Sequence, residues 1–434
     1  MIRQASLPIP LRLAHNIYDN IIVAFLFLFL PFNYALTINL GFPLKISEIA
    51  LLLSIASIGI TLVLSLRLPV WGMNNVAVRL IILFVFFATL STIIHLEWNY
   101  PYPRKIFESR SSYKLDSLLK LFYLYLNVAA MLVAANAFRA NPKRFSRLLF
   151  WGAILAALYT WYLAIASFYN YTPFLLPGMD EDPQKLRLSA DFSVIRCGTF
   201  KEGNYMGVFL LITGVIAFYF NKHKQGLFFL FSILPTMSTM AILAAGFFLI
   251  CVLFKRYFRI RYILHLLFIL GFMLSVFGLS LLSPTVRFIV VDKIVAGKKS
   301  DASYSKLDRL NSVKVSKEIT SENPLLGIGL SNYALHYDHY NTLATSPYTN
   351  KKPIPNNVFM EMLCETGIIG ASLFFMFIVA LYKITSKDTS RVLRYGLIAL
   401  LLCFNAFPTF SVLFIWVFIG LIISLKDEKA NYSS

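Results

Sequence analysis

Charge is scarce in this chain. Asp, Glu, Lys and Arg make up 14% of its 434 residues, against 58% hydrophobic, with Phe alone contributing 40. A water-soluble domain cannot hide that much apolar surface, whereas a chain of bilayer-length runs can. Cysteine is scarce too: Cys197, Cys251, Cys364 and Cys403 are scattered, with no CxxC and no Cys/His ligand spacing. Neither a disulfide framework nor a zinc site is supported. No GxxxxGK[ST] stretch is present, so nothing suggests a nucleotide-driven pump. The chain shows no fixed-period repeat and no small-residue cleavage site after Arg3 and Arg12, so its first apolar run reads as an uncleaved span.

What the chain has is apolar runs, at about 21–40, 47–66, 79–95, 118–138, 148–170, 204–220, 226–254, 262–282, 358–383 and 393–425. Most match the roughly 20 residues that cross a bilayer. The run at 226–254 and the last one are too long for one straight span, and each holds a Pro, Pro235 and Pro408. Read as hairpins broken at those prolines, they return the basic stretches "NKHKQ" and "KRYFRIR" to one side, and "KDEK" to the side of Lys383, Lys387, Arg391 and Arg394. The count becomes about twelve helices with both termini cytoplasmic. Residues 1–282 hold spans one to nine, 283–357 a large external loop, and 358–434 spans ten to twelve. The net charge of +19 is then a matter of topology, not of nucleic-acid binding. The basic loop 96–117 departs from the rule.

Three outward segments carry chemistry: about 96–117, 171–203 and 283–357. The last holds ten Lys and Arg against six Asp and Glu, a local net of +4, which suits an anionic ligand as well as an ordinary solvated loop. Within it Leu310, Val313, Lys314, Lys317 and Ile319 recur at helical steps, predicting an amphipathic helix on the membrane surface. "ENPLLGIGLSNY" then breaks the pattern with Pro324, Gly327 and Gly329.

Arg196 precedes a span in "VIRCGTFKEGNYMGVFLL", and Arg309 lies on the expected surface helix in "SKLDRLNSVKV". A boundary Arg serves as a snorkelling anchor, and a helical one as a face charge beside Asp308. Two guanidinium groups facing one pocket instead hold a diphosphate by bidentate hydrogen bonds that Lys cannot copy. His336 and His339 in "LHYDHY" are too few for a metal and suit a general base or hydrogen-bonding role. "DED" at 180–182 lacks further ligands, so no metal or cofactor is expected. "PNNVFMEMLCETGIIG" at 355–370 puts Asn356 and Asn357 where they can cap a helix or donate to a sugar or phosphate, ahead of Glu361 and Glu365.

Taken in order, "RCGTFKEGNYMG", "DRLNSVKVSKEITSENPLLGIGLSNY" and "NNVFMEMLCETGIIG" resemble the bacterial O-antigen polymerase and ligase superfamily (Wzy/WaaL-like). The resemblance covers about the second half of the chain and the many-span layout. It implies an all-α, GT-C-like integral membrane protein with a partly helical periplasmic loop. The implied activity is inverting, metal-independent glycosyl transfer from an undecaprenyl-diphosphate carrier at the inner membrane, with membrane lipids and a chain-length regulator as further partners. Carried over by motif, Arg196 and Arg309 bind the diphosphate, and Glu365, Gly367 and Gly370 form the helix signature. The same segments put Asn204, Tyr333, Asn356 and Asn357 beside the substrate, with His336, His339 or Glu365 supplying a base. Where ligases of this superfamily carry His, this chain has Asn356, and Ser238, Thr239 and Met240 replace a Ser-Arg pair. The loss of the His argues against the ligase branch and favours the polymerase branch, with ligase as the alternative. A lipid-linked sugar transporter is the competing class, because of the Pro-interrupted runs.

Overall fold

In a bilayer every backbone polar group must be bonded within the protein, so apolar runs of this kind become helices. The computed structural model describes residues 21–39, 43–65, 75–96, 113–187, 193–256, 301–341, 353–407 and 410–425. In chain order the helices are α1 (Val23–Phe29), α2 (Ile46–Ser65), α3 (Val76–Ile94), α4 (Tyr113–Ala140), α5 (Pro142–Phe168), α6 (Gly203–Tyr219), α7 (His223–Phe231) and α8 (Thr239–Arg256). They continue with α9 (Asp301–Glu322), α10 (Tyr333–Tyr340), α11 (Val358–Ile384), α12 (Arg391–Phe404) and α13 (Leu413–Ser424). Short polar residues start several of them. Asn75 Oδ1 accepts from the Ala77 amide at 3.0 Å, and Asn141 Oδ1 from that of Arg144 at 3.1 Å, just ahead of Pro142.

The twelve-span reading is met only in part. Among the described residues four helices are long and apolar enough to cross a membrane: Val76–Ile94, Leu115–Ala140, Pro142–Phe168 and Val358–Ile384. The apolar run 262–282 and residues 283–300 lie outside the described residues, as does most of the loop 96–117. The hairpin at Pro235 forms, and the last run divides into α12 and α13; Pro408 itself lies outside the described residues. A 3-10 turn at Leu234–Thr236 separates α7 from α8, so Leu230 packs near Gly214, Ala241 near Gly207, and Phe248 stacks edge-on with Phe218 at 5.6 Å. The chain runs up α7 and back down α8 along α6. Likewise α12 rises past Val215 with Gly396, and α13 descends until Gly420 meets the Met131 carbonyl of α4. These turns shorten the helices to less than a full span each.

The fold is not purely helical. Two antiparallel ribbons occur, β1 (Thr37–Asn39) with β2 (Pro43–Lys45), and β3 (Lys185–Arg187) with β4 (Ser193–Ile195), the latter pairing Lys185 with Ile195. The surface helix also differs from its expected placement. On α9 the buried positions are Asn311, Ser312, Val315, Ser316 and Ile319, whereas Leu310 is 60% exposed. This stripe joins Ile328, Tyr333, Tyr337 and Cys364 in a separate small core, so α9 packs onto α10 and α11 through its small and polar face.

The bundle has two chemically distinct ends. One gathers Arg139, Lys143, Arg144, Lys222, Lys224, Lys383, Lys387, Arg391 and Arg394 at the helix turns. The other gathers β3–β4, the start of α6, the turn at Pro235, α9 and the start of α11.

Candidate active site

Arg196 follows β4 directly. Its amide donates to the Gln184 carbonyl at 3.2 Å, while the Gln184 side chain accepts from the Gly203 amide at 2.8 Å, so one residue ties the ribbon to the start of α6. The Arg196 guanidinium lies back over that helix start, where Nη2 donates to Asn204 Oδ1 at 2.9 Å. Gly203 makes the approach possible. A Cβ there would stand 2.5 Å from Arg196 Nε and 2.7 Å from the Thr236 carbonyl. Arg196 Nε is enclosed and meets no hydrogen-bond acceptor, and no carboxylate of the described residues lies within ion-pair distance of either Arg196 or Arg309.

The two arginines face each other closely enough to interact. Burial foremost, with the Arg309 charge adding to it, lowers the Arg196 guanidinium from its ordinary value, while Glu202 opposes. An enclosed cation beside a second cation and without a counter-ion is unfavourable in an empty protein, and an arriving anion relieves it. Asn204, expected to touch substrate, accepts from the Arg196 guanidinium through Oδ1.

At the start of α11, Asn357 caps the helix: Oδ1 accepts from the Phe359 amide at 2.9 Å and that of Met360 at 3.2 Å, and Nδ2 donates to the Asn405 carbonyl at 3.3 Å. Asn356 sits at φ +51°, a left-handed conformation that Asn and His adopt far more readily than most residues. Just before it the Pro355 carbonyl accepts from Ser312 Oγ at 2.5 Å, one turn along α9 from Arg309. Asn356→His is therefore expected to leave the folded state intact, with thermal unfolding in detergent within about 1 kcal/mol of the parent. A large loss of stability would mean that the amide itself holds the turn.

Deeper in α11, Glu361 and Glu365 stand one turn apart and are each 1% exposed. Lys120 of α4 lies between them, Nζ 2.6 Å from Glu361 Oε1 and 2.6 Å from Glu365 Oε2. The spans are thus not empty of charge. Lys120 was legible as the single cation inside the run 118–138, and a charge in such a run always demands a partner. Glu365, a candidate base, has its carboxylate engaged in this triad.

The helix signature and the loop turn prove to be two halves of one clasp. At Gly367 (φ 65°, ψ −173°) α11 breaks, which frees carbonyls above and amides below. The turn at 324–329 takes both sets. The Ile328 amide donates to the Cys364 carbonyl at 3.0 Å and Gly329 to Glu365 at 2.9 Å; in return Ile368 donates to the Pro324 carbonyl at 2.8 Å. Ser91 Oγ of α3 closes the joint on the Leu326 carbonyl at 2.6 Å.

Other expected site residues are set elsewhere. Tyr333 is 1% exposed inside the small core, its hydroxyl 3.4 Å from the Ser312 carbonyl. His336 faces His95, Glu322 and His339, and burial foremost pushes its imidazole down to about 4, so it is neutral near pH 7. Glu322 ends α9, thirteen residues or about 20 Å of helix from Arg309, so the two histidines are not brought to the arginine pair. Asp182 pairs with Lys185 at 2.6 Å, and among the described residues no group of three His, Cys, Asp or Glu is arranged to hold a metal.

Residues 226–375, which include Arg309, the clasp and the Lys120 partners Glu361 and Glu365, match the family model described as O-antigen ligase. This match, over about a third of the chain, supports the O-antigen polymerase/ligase superfamily. No curated protein matches it. For this superfamily the model spans Pro235, Arg309, the turn at 324–329 and Gly367, so the matched segment contains both halves of the clasp, while Arg196 lies upstream of it. The mostly helical architecture with four bilayer-length helices is that of a helical membrane protein. The match supports a membrane enzyme of the O-antigen ligase/polymerase type and, at that coarse level, lipid-linked glycan substrates.

Proposed function

We propose that the chain is the polymerase form of this activity: an inverting membrane glycosyltransferase that joins undecaprenyl-diphosphate-linked oligosaccharide units. The observation that carries it is Arg196, an enclosed guanidinium within reach of the exposed Arg309 charge and with no carboxylate of the described residues at ion-pair distance, at the mouth of the bundle. Such a pair fits a diphosphate on a lipid. An acceptor hydroxyl attacks the anomeric carbon of the carrier-linked chain, its oxygen forming the new bond as the bond to the diphosphate breaks. The two guanidinium groups neutralise the charge that grows on the leaving diphosphate.

The basic end of the bundle supports a cytoplasmic assignment for that face, which directs the arginine pair to the periplasm. Cysteine labelling tests this: a single Cys at the exposed Glu181 should react with an impermeant maleimide from outside, and one at the exposed Lys143 should not. Equal labelling of both positions would overturn the orientation.

The placement of Asn356 where ligases of the superfamily carry His favours polymerase over ligase, while the description of the matched family favours ligase. One experiment separates these and the transporter reading. Purified protein in detergent with EDTA and lipid-linked units should yield a ladder on the carrier. Transfer only to a lipid A-core acceptor would establish the ligase, and no covalent product, with transport in vesicles, would establish a transporter.

A further inference from the structure

Two side chains accept hydrogen bonds where Arg196 is held. Asn204 Oδ1 accepts from Arg196 Nη2 at 2.9 Å, and Gln184 Oε1 accepts from the Gly203 amide at 2.8 Å. Gly203 is also the residue that the arginine lies over, since a Cβ there would stand 2.5 Å from Nε. The Gln184 main-chain carbonyl accepts from the Arg196 amide at 3.2 Å. Gln184 therefore bonds both the backbone of the arginine and the helix start beneath its side chain. In each carboxamide the oxygen is the atom that faces the cradle, because both partners are N–H donors.

Both acceptors are amides, yet neither hydrogen bond requires one. Asp and Glu have the same shapes as Asn and Gln and accept the same bonds. A carboxylate on a guanidinium makes the shorter and stronger contact of the two. Asp at 204 or Glu at 184 would hold the cradle at least as firmly and would supply a counter-ion. As it stands, Arg196 Nε is enclosed without an acceptor, and no carboxylate of the described residues lies at ion-pair distance from the guanidinium. Glu202 acts on it only from further away. An enclosed cation served by neutral acceptors alone is under-satisfied. Stability forgone in this way belongs where a ligand supplies the missing charge.

We propose that Gln184 and Asn204 are positioning residues that set the specificity of the site for an anionic carrier: as neutral acceptors they fix Arg196 while leaving its charge free for the diphosphate. The inference rests on the glycosyltransferase reading above and deepens it. It gives Asn204 the role of supporting Arg196, and it adds Gln184, which lies upstream of the segment that the family model matches. Selection acts through charge. With amides in the cradle, an arriving diphosphate meets an unpaired guanidinium. With an acid there, the guanidinium is already paired, and the diphosphate must compete with a fixed carboxylate that also repels it.

The test uses the full chain in detergent, with undecaprenyl diphosphate and undecaprenol as binding probes and thermal unfolding measured beside them. Asn204→Asp and Gln184→Glu each keep the hydrogen bond and add one negative charge. Each should weaken binding of undecaprenyl diphosphate by about tenfold or more, with undecaprenol binding held within about threefold of the parent's. The unfolding temperature of both should stay at or above the parent's, because the enclosed cation gains a partner. Asn204→Ala and Gln184→Met remove the acceptor without adding charge, and these should unfold at lower temperature. A merely structural tie does not give lost binding at undiminished stability. Acid variants that bind undecaprenyl diphosphate within about threefold of the parent, or that lose both probes equally, would overturn the proposal. So would acid variants that lose binding and thermal stability together, as the amides would then serve the fold alone. If the parent itself binds undecaprenyl diphosphate no better than undecaprenol and lengthens no lipid-linked units, it is the glycosyltransferase reading that fails.

Discussion

Arg196→Lys should abolish ladder formation nearly as completely as Arg196→Ala, with the protein still accumulating in membranes. The ammonium keeps the charge but loses the fork that reaches Asn204 Oδ1 with one arm while presenting the rest to a ligand. Losing one charge-assisted contact in a partly dry site costs roughly 2–4 kcal/mol of transition-state stabilisation, a rate loss on the order of a hundredfold to a thousandfold. Arg309→Lys should follow with a smaller loss, since Arg309 is exposed on α9 and a flexible ammonium there recovers part of the attraction through solvent. Ladder length in cells, with membrane protein level measured beside it, checks both. Lys variants with parental ladders would reduce the pair to membrane anchors.

Gly367→Ala should unfold the mouth. At φ 65° and ψ −173° the backbone is in a region open to glycine alone, and a Cβ would stand 2.2 Å from the Leu325 carbonyl and 2.6 Å from the Gly327 amide nitrogen. Strain of about 1–3 kcal/mol comes from the dihedral itself. The Cβ contacts would add to it by pushing the loop turn off its exchanged hydrogen bonds. The expected result is a clear drop in unfolding temperature and in membrane level, together with loss of activity. Gly370→Ala is the contrast: its Cβ would meet only the Thr366 side chain of the same helix, so a milder effect is expected. Equal behaviour of the two variants would show that the clasp carries no special weight.

The legibility of this molecule in its sequence differs from residue to residue. The hairpins at Pro235 and Pro408 could be read because charge on either side of an apolar run constrains which side each end is on, and proline marks where the chain turns back. Arg196 and Arg309 could be singled out one at a time; their pairing could not, since more than a hundred residues separate them. The stripe on α9 was misjudged because hydrophobicity was taken as the guide, whereas Asn311 is buried through a hydrogen bond to α10, Ser312 through one to Pro355 and Ser316 through one to the Ser312 carbonyl of its own helix. His336 and His339 carried the chemistry of a base but not its location.

The sequence by itself determined that much of the chain is membrane-length apolar helix and pointed to a functional class. Composition decides whether apolar surface needs a bilayer, and the order of short motifs pointed to the superfamily that the family match supports. Only the tertiary structure decided which motifs meet. It showed that the segments 324–329 and 364–369 exchange backbone hydrogen bonds, that Lys120 holds two carboxylates across 241 and 245 residues of chain, and that Asn204 accepts from Arg196. The physical reason is that local signals act over a few residues, through dihedral preference and helical period. Partner choice between distant segments is instead set by packing, and by the requirement that every group freed inside the bundle find a mate there.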